Sequence, residues 1–322
     1  MNEAGMGLNI KARKILDRLM DDEDRLGVSV YTNEDGSTIV DVGVEAQGSF
    51  EAGLLVTEIC MGGMGRARMG LEEYDGLTLP TVFVETGRPC EALLGSQFAG
   101  WKIEAEDYYA MASGPARALS MKPKKIFEEI QYREEAGEAV IVLESDKPPT
   151  LKALRHIAEK CNVKPDKLYA VVTPTSSLAG TVQISGRIAE TGMHRLVTLG
   201  LHPRIFKHAA GKAPVAPAHP DSNIAMGRAN DVLLYGGETF FIVETDMDEE
   251  ELQRTVDRAP SSSSRDYGRP FYEIFKDAGY DFYKIDPALF APAALTLCNL
   301  KDGKVYSAGT VNHEVLKKAM GC

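Results

Sequence analysis

Short β-rich runs alternate with amphipathic helical stretches along the chain, and this alternation constrains the fold more than any other feature of the sequence. Residues 8–26 carry apolar side chains at helical spacing, from Ile10 to Leu19, and predict a helix. Residues 28–44 predict a β-hairpin that turns between Asn33 and Gly36. A chain that interleaves both kinds of element is expected to build a mixed α/β (α+β) fold, in which helices cover sheets.

The same alternation continues towards the C-terminus. A helix is predicted after Gly48, with Ser49 as its N-terminal cap and Gly62–Gly63 at its end. Another helix is predicted over residues 151–160. β-rich runs predict further strands over residues 77–86, 168–174, 231–237 and 239–245.

The length of 322 residues allows two packed cores, since a single core stops growing at about 250 to 300 residues. Pro148 and Pro149 interrupt the chain between two groups of α and β segments. The predicted division is therefore an N-terminal α/β domain over residues 1–147 and a C-terminal α/β domain over residues 148–322, with segments allowed to interleave.

Composition disfavours two classes of partner, nucleic acids and membranes. The chain has 36 Lys and Arg against 47 Asp and Glu, and the net charge of −11 disfavours binding to nucleic acid. The apolar runs are far shorter than a membrane span, so no membrane partner is expected.

The N-terminus lacks the uninterrupted hydrophobic stretch of a secretory signal, which predicts a cytoplasmic protein. The five Cys are scattered and odd in number, so neither a disulfide framework nor a CxxC metal site is predicted.

The segment "LLGSQFAGW" is a candidate for ligand binding. Ser96 and Gln97 follow Gly95, and small polar residues beside a Gly let backbone amides and a Gln side chain approach a planar ligand closely. A tight turn packed against Trp101 explains the segment equally well.

The segment "SGPARAL" has the features of a helix start, with Ser113 as the predicted cap and Pro115 in the first turn. The free amides of such a start, with Gly114 and Arg117 beside them, predict a site for a phosphate or carboxylate group. An ordinary helix start is the simpler alternative. Asn230 is a further binding candidate, in the polar segment next to the strand predicted at 231–237.

Metal and nucleotide sites are disfavoured. His202, His208 and His219 match no zinc-ligand spacing and have no Cys or paired carboxylates near them in the sequence. The chain contains no GxGxxG that opens a helix after a strand, and it contains no GxxxxGK[ST] segment. We therefore expect no metal and no dinucleotide cofactor.

Arg187 and Glu190 lie three residues apart at the start of an apolar helical stretch, "SGRIAETGMHRLVTLG". At this spacing two opposite charges face the same side of a helix, and a surface ion pair is the ordinary explanation. Local pattern alone assigns the pair no chemical role.

Several segments, taken together and in order, resemble the methenyltetrahydromethanopterin cyclohydrolase family along nearly the whole chain. They are "FEAGLLVTEICMGG", "LLGSQFAGW", "SGPARAL", "TSSLAGTVQISGRIAE", "PAHPDSNIAMGRANDVLLYGG", "DYGRPFYEIF" and "DFYKIDPALFAPA". Two positions depart from the family pattern. Leu93 stands where a Cys is expected, which argues against a thiol role there, and Ala112 stands where a Gly is expected.

The resemblance implies a cytoplasmic enzyme of two α/β domains that binds its substrate in the crevice between them, forms a homotrimer and needs no metal or organic cofactor. It implies reversible hydrolysis of 5,10-methenyltetrahydromethanopterin to 5-formyltetrahydromethanopterin in the one-carbon metabolism of methanogenesis. The family's active-site Arg and Glu fall on Arg187 and Glu190. The expected contacts with the pterin substrate are the candidates Ser96, Gln97, Ser113, Gly114, Arg117 and Asn230.

Two other functions stay open at this point. One is a pterin-binding protein that lacks catalysis, against which the intact Arg187 and Glu190 argue. The other is a metal-dependent amidohydrolase that uses the histidines.

Overall fold

Helices and strands alternate throughout the computed structural model, which describes residues 7–105 and 107–322. Its strands are β1 (Ser29–Thr32), β2 (Thr38–Asp41), β3 (Arg66–Tyr74), β4 (Leu77–Thr86), β5 (Trp101–Ala105), β6 (Tyr108–Ser113), β7 (Ala139–Glu144), β8 (Leu168–Val172), β9 (Phe206–Pro214), β10 (Glu238–Val243), β11 (Ala294–Asn299) and β12 (Val305–Gly309). Its α-helices are α1 (Leu8–Asp21), α2 (Glu23–Leu26), α3 (Phe50–Cys60), α4 (Ala116–Ser120), α5 (Lys124–Ile130), α6 (Leu151–Cys161), α7 (Leu178–Ser185), α8 (Ile188–Thr198), α9 (Ser222–Gly236), α10 (Glu249–Asp257), α11 (Phe271–Asp277) and α12 (His313–Met320). A π-helical segment, Cys90–Gln97, lies between β4 and β5.

The chain divides into two compact units, each built from two separate segments. The first unit contains the described residues up to Arg66 together with Cys90–Gln183, and the second contains Ala67–Pro89 together with Ile184–Cys322. The predicted boundary between residues 147 and 148 therefore lies inside the first unit. The reason is that β7 and β8 pair side by side and α6 connects them, so a division ahead of α6 would separate the parts of one crossover.

The first unit is a mixed sheet with helices on both faces. Its strand order is β1-β2-β8-β7-β6-β5, in which β2, β8 and β7 run parallel. Successive residues of β7 face opposite sides: Val140 and Val142 pack with α1 and α3, whereas Ile141 and Leu143 pack with α6. A strand that is buried on both sides needs the unbroken apolar run "AVIVL" that the sequence supplies.

The structure confirms most of the predicted elements. α1 and α2 cover residues 8–26, and β1 and β2 form the predicted hairpin. Ser49 caps α3, since its side chain accepts a hydrogen bond from the backbone N–H of Ala52. Gly62 and Gly63 end this helix with φ values of +63° and +66°, which residues with a side chain disfavour. The other confirmed elements correspond to β4, α6, β8 and β10.

The second unit contains a sheet in the order β12-β11-β10-β9-β4-β3. β9 is antiparallel to β4 and to β10, while β10 is parallel to β11. α8 lies against β9 and β10. A separate apolar cluster joins α9, α11 and α12 around Tyr235 and Phe271.

One predicted strand is a helix in the structure. Residues 231–237 overlap the end of α9, which Asp221 caps by accepting hydrogen bonds from the backbone N–H groups of Asn223 and Ile224. The strand prediction is wrong because a short apolar run such as "DVLLY" has the composition of a buried strand and of a buried helix alike. The polar cap ten residues earlier is the signal that distinguishes them.

Asp231 is a buried carboxyl group of this helix. It is 1% exposed, and its Oδ1 accepts a hydrogen bond of 2.8 Å from the backbone N–H of Phe271. Burial raises the pKa of Asp231 to about 8; Glu273 adds to the rise, whereas the hydrogen bond and Arg228 oppose it. The folded protein therefore holds a proton here at pH values at which the unfolded chain has lost it.

Asp231→Asn is expected to remove a pH dependence of stability. Because the folded pKa is raised, the stabilisation from the bound proton is complete below about pH 4 and is lost as the pH rises towards 8. The free energy of unfolding of the wild type should therefore fall as the pH rises through this range, and that of Asp231→Asn should fall less. Urea unfolding at several pH values measures both, with the exposed Asp246→Asn as the control. Equal pH slopes for the wild type and Asp231→Asn would contradict this assignment.

Candidate functional site

Arg187 and Glu190 lie at the start of α8, where local hydrogen bonds fix the chain. Arg187 directly precedes the helix, and its carbonyl accepts a hydrogen bond of 2.8 Å from the backbone N–H of Thr191. Just before it, the Ser185 hydroxyl donates to the carbonyl of Pro214, at the end of β9, at 2.8 Å. These bonds set the backbone from which both charged side chains extend.

Glycines bring α8 close to its sheet. A Cβ atom on Gly192 would lie 3.0 Å from both Phe241 and Thr239 of β10, and a Cβ on Gly211 of β9 would lie 2.9 Å from Ile188. Contacts this short leave no room for a larger residue unless the helix moves. The side of α8 that carries Ile188 and Gly192 is therefore the side that packs on the sheet.

The charged pair lies on another side of the same helix. With about 100° of rotation per residue, Arg187 and Glu190 are about 60° apart around the helix axis. Glu190 is about 160° from Gly192 and hence faces away from the sheet of its own unit. Both charged residues are nevertheless buried, each with only 7% of its surface exposed. This burial excludes the surface ion pair, and it is costly enough to be typical of charged residues that serve a function.

The first unit brings together the candidates of the two small-residue segments. Ser96 and Gln97 end the π-helical segment and are fully buried. The carbonyl of Ser96 accepts hydrogen bonds from Gly114 N at 2.8 Å and from Arg117 Nη1 at 3.1 Å. Gly114 has a φ of +94°, which favours glycine at this position. Within residues 7–105 and 107–322 the buried Ser96 hydroxyl has no hydrogen-bond partner, which is unusual for a buried polar group.

Arg117 supports the segment that carries Ser96. It is fully buried, and its guanidinium donates to three backbone carbonyls: Leu94 at 2.9 Å, Ser96 at 3.1 Å and Lys122 at 2.8 Å. Its guanidinium carbon also lies 5.4 Å from the ring centre of Phe98. These contacts give Arg117 a positioning role, because one rigid fork of donors joins the π-helical segment to the turn after α4.

Ser113 ends β6 and does not cap a helix. It lies opposite Val142 of β7, and its hydroxyl is 3.5 Å from the Cys60 Sγ of α3. α4 begins only at Ala116 and has no side-chain cap. The predicted capping role is wrong because sheet pairing extends the strand as far as Ser113.

The remaining candidates lie in the second unit. Asn230 is half-buried in α9, and its Nδ2 donates to the carbonyl of Met226, one turn earlier, at 2.9 Å. His202 Nδ1 accepts a hydrogen bond from the backbone N–H of Arg204. Among the described residues no group of three or more His, Cys, Asp or Glu side chains is placed to hold a metal ion.

The length and hydropathy of a helix decide whether it can cross a membrane. No helix in the described part of the chain combines the length and the apolar character that crossing a bilayer requires.

Comparison with known proteins decides the family. A family model described as Cyclohydrolase (MCH) matches residues 7–320. The methenyltetrahydromethanopterin cyclohydrolase of Methanothermobacter marburgensis is 44% identical over 319 residues, which cover 98% of this chain and 99% of that protein. Those of Methanococcoides burtonii and Methanocaldococcus jannaschii are 42% and 43% identical, and each alignment covers 98% of both chains. The chain belongs to the methenyltetrahydromethanopterin cyclohydrolase family.

Polar side chains that were not among the predicted site residues lie at the carboxyl ends of β2, β7 and β8 of this cyclohydrolase. Asp41 ends β2, and its carboxylate accepts hydrogen bonds of 2.7 to 3.0 Å from four backbone N–H groups, those of residues 43–46. Glu144 ends β7, and Thr173 directly follows β8. A polar residue immediately after a buried apolar run, as in "TIVD", "IVLE" and "YAVVT", is the signal that identifies them.

Arg117→Met is expected to lower the free energy of unfolding of the cyclohydrolase by about 3 kcal/mol. Methionine has a similar length but no donor, so three backbone carbonyls lose their charged partner in the protein interior. Urea unfolding measures the loss. The exposed Arg133→Met is the control and should change stability by less than about 0.5 kcal/mol. An Arg117→Met variant as stable as the wild type would show that these bonds make no net contribution.

Proposed function

We propose that this cyclohydrolase reversibly hydrolyses 5,10-methenyltetrahydromethanopterin to 5-formyltetrahydromethanopterin, with Arg187 and Glu190 as its catalytic residues. The observation that carries the proposal is the buried Arg–Glu pair on one side of α8, in a chain whose relatives are named for this substrate. The pterin is the substrate carrier, and the mechanism requires neither a metal nor an organic cofactor.

The reaction needs few protein groups because the substrate is already activated. Its methenyl carbon lies between two nitrogens that share a positive charge, so water can add without a metal or a covalent nucleophile. Hydrolysis then requires a positioned water, a base for its proton and an acid for the departing nitrogen. A single carboxylate can perform both proton transfers in turn.

In this proposal Glu190 performs both transfers. Its carboxylate orients the water and accepts one proton as the C–O bond forms. It then donates that proton to nitrogen 10 as the bond between this nitrogen and the carbon breaks. The second proton of the water leaves to solvent when the formyl C=O bond forms. A cationic substrate and water thus give a neutral formyl product and one released proton.

Arg187 holds the carboxylate in one orientation in this mechanism. Both side chains leave α8 on the same side, and a guanidinium presents a planar fork of donors that matches a carboxylate. The negative charge of Glu190 also attracts the cationic substrate, but this attraction weakens as the substrate loses its charge during attack. Orientation therefore contributes more to catalysis than charge does.

Substrate contacts are proposed from both units. The buried cluster of the first unit supports this assignment because the Ser96 hydroxyl has no hydrogen-bond partner within the described residues. The crevice between two domains, the homotrimer and the cytoplasmic location stay predictions. The proposed contacts, with the residue that orders them, are Ser96, Gln97, Ser113, Gly114, Asn230 and Arg117.

One assay separates the proposed activity from the two alternatives. The methenyl group absorbs in the near ultraviolet, and hydrolysis by the purified protein removes this absorption. A pterin-binding protein without catalysis would leave the absorption unchanged. A metal-dependent amidohydrolase would lose its activity in the presence of a chelator, whereas the proposed mechanism retains it.

Glu190→Gln is expected to lower kcat roughly 100-fold or more, the usual scale of general acid–base catalysis, while substrate affinity stays largely intact. Glutamine keeps the size of the side chain but cannot accept the proton of the water. The loss of near-ultraviolet absorption measures turnover. Glu51→Gln is a matched control, because Glu51 is exposed and occupies the first turn of α3 as Glu190 occupies that of α8. Turnover close to that of the wild type would remove Glu190 from the mechanism.

Arg187→Ala is expected to lower kcat, and Arg187→Lys is expected to restore it only in part. Lysine keeps the positive charge but lacks the planar fork that orients a carboxylate. Steady-state kinetics of both variants measure this difference. Full activity in Arg187→Lys would show that charge, and not orientation, is what Arg187 contributes.

A further inference from the structure

The carboxyl ends of β7 and β8 form a topological switch point inside the first unit. The two strands are parallel neighbours. After β7 the chain enters α6, whose Leu154 packs with Leu143 on one face of the sheet. After β8 it enters α7, whose Ala179 packs with Val142 on the other face. Parallel neighbours whose connections leave to opposite faces open a crevice at their carboxyl ends, and α/β proteins bind ligands in such crevices.

Polar side chains line this edge of the sheet. Thr173 N donates to the carbonyl of Leu143 at 3.0 Å, which continues the ladder and places Glu144 beside Thr173. Side chains alternate along a strand, so Glu144 shares the face of Val142 and Thr173 shares the face of Val171. Both valines pack in the cluster under α3 and α7. Glu144 and Thr173 therefore lie side by side on one face of the sheet.

These side chains retain unused hydrogen-bonding capacity. The Thr175 hydroxyl donates to Oε1 of the half-buried Glu144, and Oε2 accepts no hydrogen bond within the described residues. Thr173 is 0% exposed, yet its hydroxyl has no hydrogen-bond partner in residues 7–105 and 107–322. A buried hydroxyl without a partner is costly, so this one indicates a ligand group.

The switch point adjoins the proposed substrate contacts of the first unit. Ser113 of β6 lies opposite Val142, and Glu144 is two residues further along β7 on the same face. The carbonyl of Ser96 in turn accepts a hydrogen bond from Gly114, which follows Ser113. A ligand at the switch point would thus lie on the same face of the sheet as Ser113.

We propose that this switch point binds the 2-amino-4-oxopyrimidine edge of the pterin, with Glu144 accepting hydrogen bonds from its two adjacent N–H groups. The inference rests on the proposed function, and it assigns a binding site to the end of the substrate that does not react. A carboxylate fits because it offers two acceptor oxygens and no donor, while the ring N–H and the exocyclic amino group are adjacent donors. Thr175 fixes the carboxylate, and the Thr173 hydroxyl serves a neighbouring ring atom.

The test compares pterin fragments that differ only at the 2-amino group. The probes are 6-methyltetrahydropterin and its 2-desamino analogue, and calorimetry measures their dissociation constants for the full chain. The wild type should bind the amino compound about tenfold or more tightly, because the analogue leaves a charged acceptor without its donor. Glu144→Gln should reduce this preference to near unity. Asp146→Asn is the matched control, since it removes an exposed carboxylate two residues away and should keep the full preference.

Kinetics give a second, independent readout. Glu144→Gln should raise KM for the methenyl substrate about tenfold or more and leave kcat nearly unchanged, the opposite of Glu190→Gln. An unchanged KM and an unchanged preference for the amino compound would overturn the proposal. A Glu144→Gln variant whose only defect is a loss of thermal stability would also overturn the proposal. If Glu144→Gln does not fold, the wild type alone decides, because equal affinity for the two fragments would refute the site.

The same experiments keep this proposal apart from the proposed function. A wild type that prefers the amino fragment through Glu144 but leaves the methenyl absorption unchanged would refute hydrolysis and support the pterin site. A wild type that hydrolyses the substrate without preferring the amino fragment would support hydrolysis and refute the pterin site.

Discussion

The contact between α8 and its sheet is the constraint on which the proposed chemistry depends. Gly192 on the helix and Gly211 on β9 allow an approach that any larger residue would block. Because this contact occupies one side of the helix, Arg187 and Glu190 are carried on another side, and both are still buried. These two glycines thus fix the position of α8 and, with it, the positions of its two charged residues. The proposed orientation of a water molecule requires charged groups that are held in fixed positions.

In the first unit, hydrogen bonds between charged side chains and backbone groups hold the chain in place. Arg117 joins the π-helical segment to the turn after α4 by donating to three carbonyls. A carboxylate does the same for the loop after β2, where Asp41 accepts from four amides. In both places a buried charged group is stabilised by main-chain dipoles and fixes the backbone that surrounds it.

The structure confirms most of the elements that local pattern predicts, and the exceptions have specific causes. The cap at Ser49 and the glycines at 62 and 63 act within their own turn, so sequence alone reveals them. The helix over residues 231–236 is signalled only by a cap ten residues ahead of its apolar run, and the strand end at Ser113 depends on sheet pairing, which a single segment does not encode. Within the site, local pattern alone predicts an ordinary surface ion pair at Arg187 and Glu190, and the resemblance to the cyclohydrolases is what assigns them a role. Glu144 and Thr173 each follow a buried apolar run in the sequence, but their position side by side depends on the order of the strands.

The interleaving of the two units has a consequence for synthesis on the ribosome. β4 is made early, but its partner β9 lies beyond the whole second segment of the first unit. One edge of β4 therefore lacks its native neighbour while most of the first unit emerges from the ribosome. An open strand edge is prone to pair with other chains, so the nascent polypeptide is exposed to aggregation during this interval, and a chaperone would protect it best at β4.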